Sequence, residues 1–169
     1  AVSTALMACS SISPTRTAKI ATSQTSMLAS AWDTSHGGSD KSYDTQLLEM
    51  REEVAPKFKT LVFTDKESGN SLTYNLFVPK NYDAKKQYPL VLFMADASTT
   101  GKGAMAPLKQ GYGGIIWATD ESQSKNPSFV LVPAFAGQKD TKGMNAVVND
   151  QWQASAEVDT TLKLLHHVV

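Results

Sequence analysis

Two short apolar runs constrain this chain most: PLVLFMA at 89–95 and FVLVP at 129–133. Neither alternates with polar residues, and both have strand length. Such runs fit strands covered on both faces, as in a parallel sheet. Between them, GIIWATDESQSK at 114–125 predicts a short helix. After them, 155–169 predicts a longer one, with Val158, Leu162, Leu165 and Val169 on one face, flanked by Thr161 and Val168. Before them, FKTLVFT at 58–64 is β-rich and is followed by a turn cluster, DKESGN. Leu72, Tyr74, Leu76 and Val78 then alternate with Ser71, Thr73 and Asn75, and Pro79 stops the run. Period two after a turn predicts an antiparallel hairpin with one buried face. TQLLEMREEV at 45–54 predicts a helix that Pro56 ends. The series is an antiparallel hairpin followed by parallel strands with flanking helices, which is an α/β sheet.

The first third has a different character. Residues 1–8 read AVSTALMA and Cys9 follows directly, so 1–9 reads as a signal-peptide remnant. Leu6-Met7-Ala8-Cys9 resembles a bacterial lipobox, which implies a lipidated Cys9, a membrane tether and an extracellular or cell-envelope location. Residues 10–44 are rich in Ser, Thr and Ala and lack apolar periodicity, the pattern of a flexible stalk. Residues 45–169 then form the α/β part.

Composition removes several classes. Lys+Arg and Asp+Glu both total 16, so the net charge is zero. A general nucleic-acid binder would carry a basic stripe, and a charge-driven membrane binder a basic patch. A single cysteine excludes a disulfide framework and a multi-cysteine zinc site.

From 57 onward the chain resembles the N-terminal half of an α/β-hydrolase. It is most similar to secreted esterases related to poly(3-hydroxybutyrate) depolymerases and prolyl-oligopeptidase-type esterases. The residues that carry the resemblance are TYNLFVPKNYDAKKQYPLVLFMADAS and then GYGGIIWATDESQSKNPSFVLVPAF. The resemblance implies hydrolysis of carboxylic esters through a Ser-His-Asp triad and an acyl-enzyme, with an ester as partner and no cofactor. In that family the third strand usually ends in His-Gly and a small residue, and the next backbone N–H forms half of the oxyanion hole. The matching positions here are Ala95, Asp96, Ala97 and Ser98. The match assigns the oxyanion N–H to Ala97, with Asp96 and Ser98 at the mouth. Asp96 departs from the family glycine, and its carboxylate must point away or the hole is built differently. The family's nucleophile lies on a G-x-S-x-G turn after the next strand. This chain contains no G-x-S-x-G. The expectation is a partial, apparently truncated domain with no esterase activity of its own, whose third strand leaves an open apolar edge.

Other readings compete. A non-catalytic, envelope-tethered module of the same fold could bind carbohydrate or protein through Trp32, Trp117 and Trp152, although Trp117 beside Ile115 and Ile116 reads as core. Thr100-Gly101-Lys102-Gly103 follows a buried strand as a phosphate-binding loop does. It lacks the earlier Gly and the Ser/Thr after Lys, and the Pro107 and glycines that follow predict no helix N-terminus for phosphate. His36-Gly37-Gly38-Ser39 imitates an oxyanion motif without the strand that should precede it. His166 and His167 are adjacent and point apart on a helix, so they read as surface residues and not as a metal pair. Met94, Met105 and Met144 read as packing, and Glu52-Glu53 and Asp65-Lys66-Glu67 as solvated faces.

Overall fold

The computed structural model describes residues 41, 43–137, 148 and 153–168. Cys9, Trp32, His36, Met144 and Trp152 lie outside the described residues, as do all of residues 1–40, where a leader and a stalk are expected.

Helix α1 spans Thr45–Val54. Asp44 caps it, accepting the Leu47 N–H at 3.0 Å, and so satisfies a donor that the first turn leaves open. Pro56 then turns the chain into a single 3-10 turn, Ala55–Lys57. Strands β1 (Lys59–Thr64) and β2 (Ser71–Phe77) form the expected hairpin, paired from Lys59 with Leu76 to Thr64 with Ser71. Gly69 adopts φ 73° in its turn, a conformation that suits glycine.

Strand β3 (Leu90–Leu92) pairs in parallel with β4 (Phe129–Ala134), and β4 pairs antiparallel with β2. The order across the sheet is β1-β2-β4-β3. Strand β4 therefore lies inside the sheet, and Val130, Leu131 and Val132 have no exposure at all. Leu90, Val91 and Leu92 are only half-buried, not covered as the apolar run predicts. The reason is position: among the described residues β3 has a neighbour on one side only.

The sheet carries a core on each face. On one, Leu47, Val54 and Phe58 meet Phe77, Leu108, Ile115, Val130 and Val132. On the other, Leu72, Tyr74 and Leu131 meet Phe135 and Leu164. Strand β2 is thus buried on both sides, which corrects the expected single buried face. Asn75 is fully buried and Val78 lies exposed beyond the strand end.

Helix α2 is a four-residue piece, Ala106–Lys109, where none was expected; Pro107 sits in its first turn, which needs no N–H from it. The helix expected over 114–125 begins only at Asp120. It is preceded by a 3-10 turn, Ile116–Ala118, and Thr119 caps α3 (Asp120–Lys125) by accepting the Ser122 N–H at 3.2 Å. That turn buries Ile115 and leaves Trp117 47% exposed, so Trp117 is not a core residue.

Helix α4 (Ala156–Val168) lies against the second face. Its buried positions are Thr160, Thr161 and Leu164, whereas Leu162 is 51% exposed. The expected apolar stripe is therefore displaced. The threonine hydroxyls donate to the Ala156 and Glu157 carbonyls at 2.7 and 2.8 Å, which removes the cost of burying them. His166 and His167 are exposed in its last turn, with the His167 ring 5.3 Å from Phe63.

Candidate functional site

The ladder of β3 ends where the Phe93 N–H donates to the Leu131 carbonyl at 3.0 Å. Ala95 is buried, and the chain then emerges at Asp96, Ala97 and Ser98. Asp96 is extended and caps a 3-10 turn, Ala97–Thr99. One carboxylate oxygen accepts the Ser98 N–H at 2.8 Å and also the Ser98 hydroxyl. The other accepts from Gln110 Nε2, which reaches Ser98 Oγ as well at 3.2 Å. The Thr99 N–H and hydroxyl both donate to the Asp96 carbonyl, at 3.2 and 3.0 Å.

The Ala97 N–H has no acceptor among the described residues, and Ala97 is exposed. An exposed N–H held in a fixed turn can donate to a negatively charged oxygen brought to it. The structure thus groups Asp96, Ala97 and Ser98 at the carboxyl end of a parallel strand, the end where open α/β sheets bind ligands.

Three contacts hold this turn in place. The Gly101 N–H donates to the Phe135 carbonyl at 2.9 Å, with Gly101 at φ 72°. A Cβ on Gly101 would lie 3.3 Å from the Ala136 carbonyl oxygen, so the loop from β3 lies against the end of β4. Glu157, in the first turn of α4, accepts the Ala136 N–H at 2.8 Å and the Gly137 N–H at 3.3 Å. Burial pushes the Glu157 carboxyl above its usual range, and those two N–H groups partly oppose the shift.

Gln110 is the residue that sequence reasoning missed. It lies just beyond α2, and only a long-range fold brings it to Asp96. Arg51 of α1, itself buried, donates from Nη2 to the Gln110 carbonyl at 3.4 Å, while its Nε has no partner among the described residues. Thr100 Oγ1, next to the turn, is likewise buried and unpartnered there.

The larger hollows of the surface are elsewhere. One of about 570 Å³ lies among Lys80, Lys86, Tyr88 and Gln123, at the opposite end of β3 and β4. Another of about 640 Å³ separates β1 from α4. A smaller one, about 290 Å³, adjoins the site between Thr73, Gly101, Ala104 and Phe135. Size does not select the site here; strand direction and the free N–H do.

No family model and no curated protein matches the chain. Among solved structures, it is similar to a thermostable esterase, with a TM-score of 0.59 and 24% identity over 68% of this chain. The two share an α/β fold, which in this chain is a mixed four-stranded sheet with flanking helices. The chain spans 31% of that esterase, less than a third of its length. A second similarity, to the BES protein from Bacillus cereus, has a TM-score of 0.37 and 11% identity over 66% of this chain and 43% of that one. It is too loose in shape to bear on the reading.

Proposed function

We propose that this chain is the oxyanion-binding part of a serine carboxylic-ester hydrolase of the secreted, depolymerase-like type. The observation that carries the reading is Ala97, an exposed residue at the carboxyl end of β3 whose N–H has no acceptor among the described residues. In an ester hydrolase this N–H stabilises the tetrahedral oxyanion as charge moves from the ester carbonyl carbon's π bond onto oxygen. One such donor contributes roughly 3–4 kcal/mol to the transition state. Ser98 Oγ is not the nucleophile: it donates to the Asp96 carboxylate, and no histidine among the described residues contacts it. The serine, acid and histidine of the triad come from sequence outside this chain.

The similarity to a thermostable esterase supports the assignment to ester chemistry. The lipobox-like residues support export and tethering through Cys9.

The test is to read the source frame beyond Val169 and express the longer product. A buried strand and G-x-S-x-G within about 30 residues, with saturable turnover of an aryl ester, support the reading. In that product Ala97→Pro removes the N–H and is expected to lower kcat by about 100-fold or more. Unchanged turnover refutes the role of Ala97. The 169-residue chain alone is expected to give no saturable ester hydrolysis. Labelled fatty acid is expected to enter the wild-type protein and not Cys9→Ala when expressed in a bacterium; equal labelling overturns the tether.

A further inference from the structure

We infer that Gln110 is the positioning residue that makes an aspartate compatible with an oxyanion site at this strand end. The inference rests on the ester-hydrolase reading given above. It starts from an electrostatic conflict. Asp96 immediately precedes the proposed donor Ala97, and a carboxylate free to turn toward that N–H would repel an arriving oxyanion or occupy the donor itself. A donor of this kind works only if it is already unoccupied when charge develops.

In the structure both carboxylate oxygens are already bonded within the turn and to Gln110. Oδ1 takes the Ser98 N–H and hydroxyl. Those two bonds are local and any aspartate beginning such a turn can form them. Oδ2 would remain free to swing; it is the oxygen that Gln110 Nε2 holds. Gln110 also donates to Ser98 Oγ at 3.2 Å, so one amide closes the whole cluster.

Gln110 can do this because its backbone is fixed from two directions. Its N–H donates to the Ala106 carbonyl at 3.0 Å, ending α2, and its carbonyl accepts from the buried Arg51 guanidinium on α1. The amide side chain is therefore presented from a rigid base, and it brings no charge of its own. A neutral donor holds the carboxylate without adding a second charge beside the developing oxyanion. Gln110 touches no reacting atom in this arrangement. Its effect reaches the reaction through Asp96.

The test uses the 169-residue chain for the geometry and, where the source frame yields a longer product that turns over esters, that product for its consequence. Gln110→Glu keeps the size of the side chain but places a carboxylate against Asp96 at neutral pH. In uniformly 15N-labelled chain the Ser98 N–H is expected to exchange with solvent about tenfold faster in Gln110→Glu than in the wild type, while the Leu131 N–H in β4 is unchanged. Asp96→Asn, which keeps the turn, is expected to shift the Gln110 side-chain amide signals of the otherwise wild-type chain. Ser98 exchange within about twofold of the wild type, or Gln110 signals that ignore Asp96→Asn, overturns the inference. In the longer product Gln110→Glu is expected to lower kcat about tenfold with little change in KM, because a neutral ester does not feel the freed carboxylate and an oxyanion does. A KM effect with kcat preserved also overturns it. If no form of the protein turns over esters, the ester-hydrolase reading falls, and the exchange and shift measurements still decide whether Gln110 holds Asp96.

Discussion

Asn75 has no exposure to solvent, and its amide is bonded in both directions. Its Oδ1 accepts from the Thr60 hydroxyl at 2.8 Å across the hairpin, and its Nδ2 donates to the Ala104 carbonyl at 2.7 Å. It ties the loop that follows the candidate site to the middle of the sheet. The neutral Asn75→Leu keeps the branching at Cγ but removes the donor to the Ala104 carbonyl; a loss of about 1–3 kcal/mol or more is expected in urea unfolding. Asp65 corrects its expected role as a solvated turn residue. It is buried, accepts the Glu67 and Ser68 N–H groups at 3.3 and 3.1 Å, and pairs with Lys163 of α4 at 2.6 Å. The Lys163 ammonium, foremost, and the Ser68 hydroxyl hold its carboxyl well below the usual 3.8. A carboxyl with a depressed folded pKa contributes stability above its unfolded value and loses it as pH falls through the folded one. The Tm gap between wild type and Asp65→Asn should therefore be constant from about pH 5 to 8 and close progressively below about pH 4. A gap that stays open in acid would mean that the Asn variant loses packing and not charge.

At the scale of elements, α4 separates what pattern and packing each decide. The pattern puts Leu162 on the apolar face, but it is Leu164, on the other side of the helix, that reaches the sheet. Leu164→Ala should cost about 2–5 kcal/mol, whereas Leu162→Ala should stay within about 0.5 kcal/mol. Equal losses would place the helix on its other face. A similar close fit sets the segment before α3. A Cβ on Gly113 would come within 2.3 Å of the Phe93 ring, and Phe93 sits directly after β3. Gly113→Ala is expected to cost about 1–3 kcal/mol through overpacking and to loosen the end of β3, read as faster exchange of the Phe93 N–H.

For the molecule as a whole, the order β1-β2-β4-β3 puts the candidate site on a strand with one neighbour among the described residues. Among the described residues no strand pairs with the far side of β3, where Leu90, Val91 and Leu92 are half-buried. Such an edge pairs readily with another strand. Sedimentation of the 169-residue chain should show concentration-dependent association. A monodisperse chain over a tenfold range of concentration would show that the edge is already covered. Ala97 lies at the carboxyl end of β3, while the hollow beside Lys80 and Tyr88 lies at the opposite end.

Local signals were enough for the element types. An unbroken apolar run specifies β4, a turn cluster between two β-rich stretches specifies the hairpin, and Asp44 with Pro56 bounds α1, because each depends on residues within a few positions of one another. What only tertiary structure decided are the contacts between distant segments. The burial of β2 on both faces follows from α1 and α4 packing on opposite sides. The displaced face of α4 follows from threonines that satisfy their own hydroxyls and so can face the core. Gln110 meets Asp96 across 14 residues, and Asn75 meets Ala104 across 29. No local propensity encodes such pairs, because they form only when the fold has brought the two segments together.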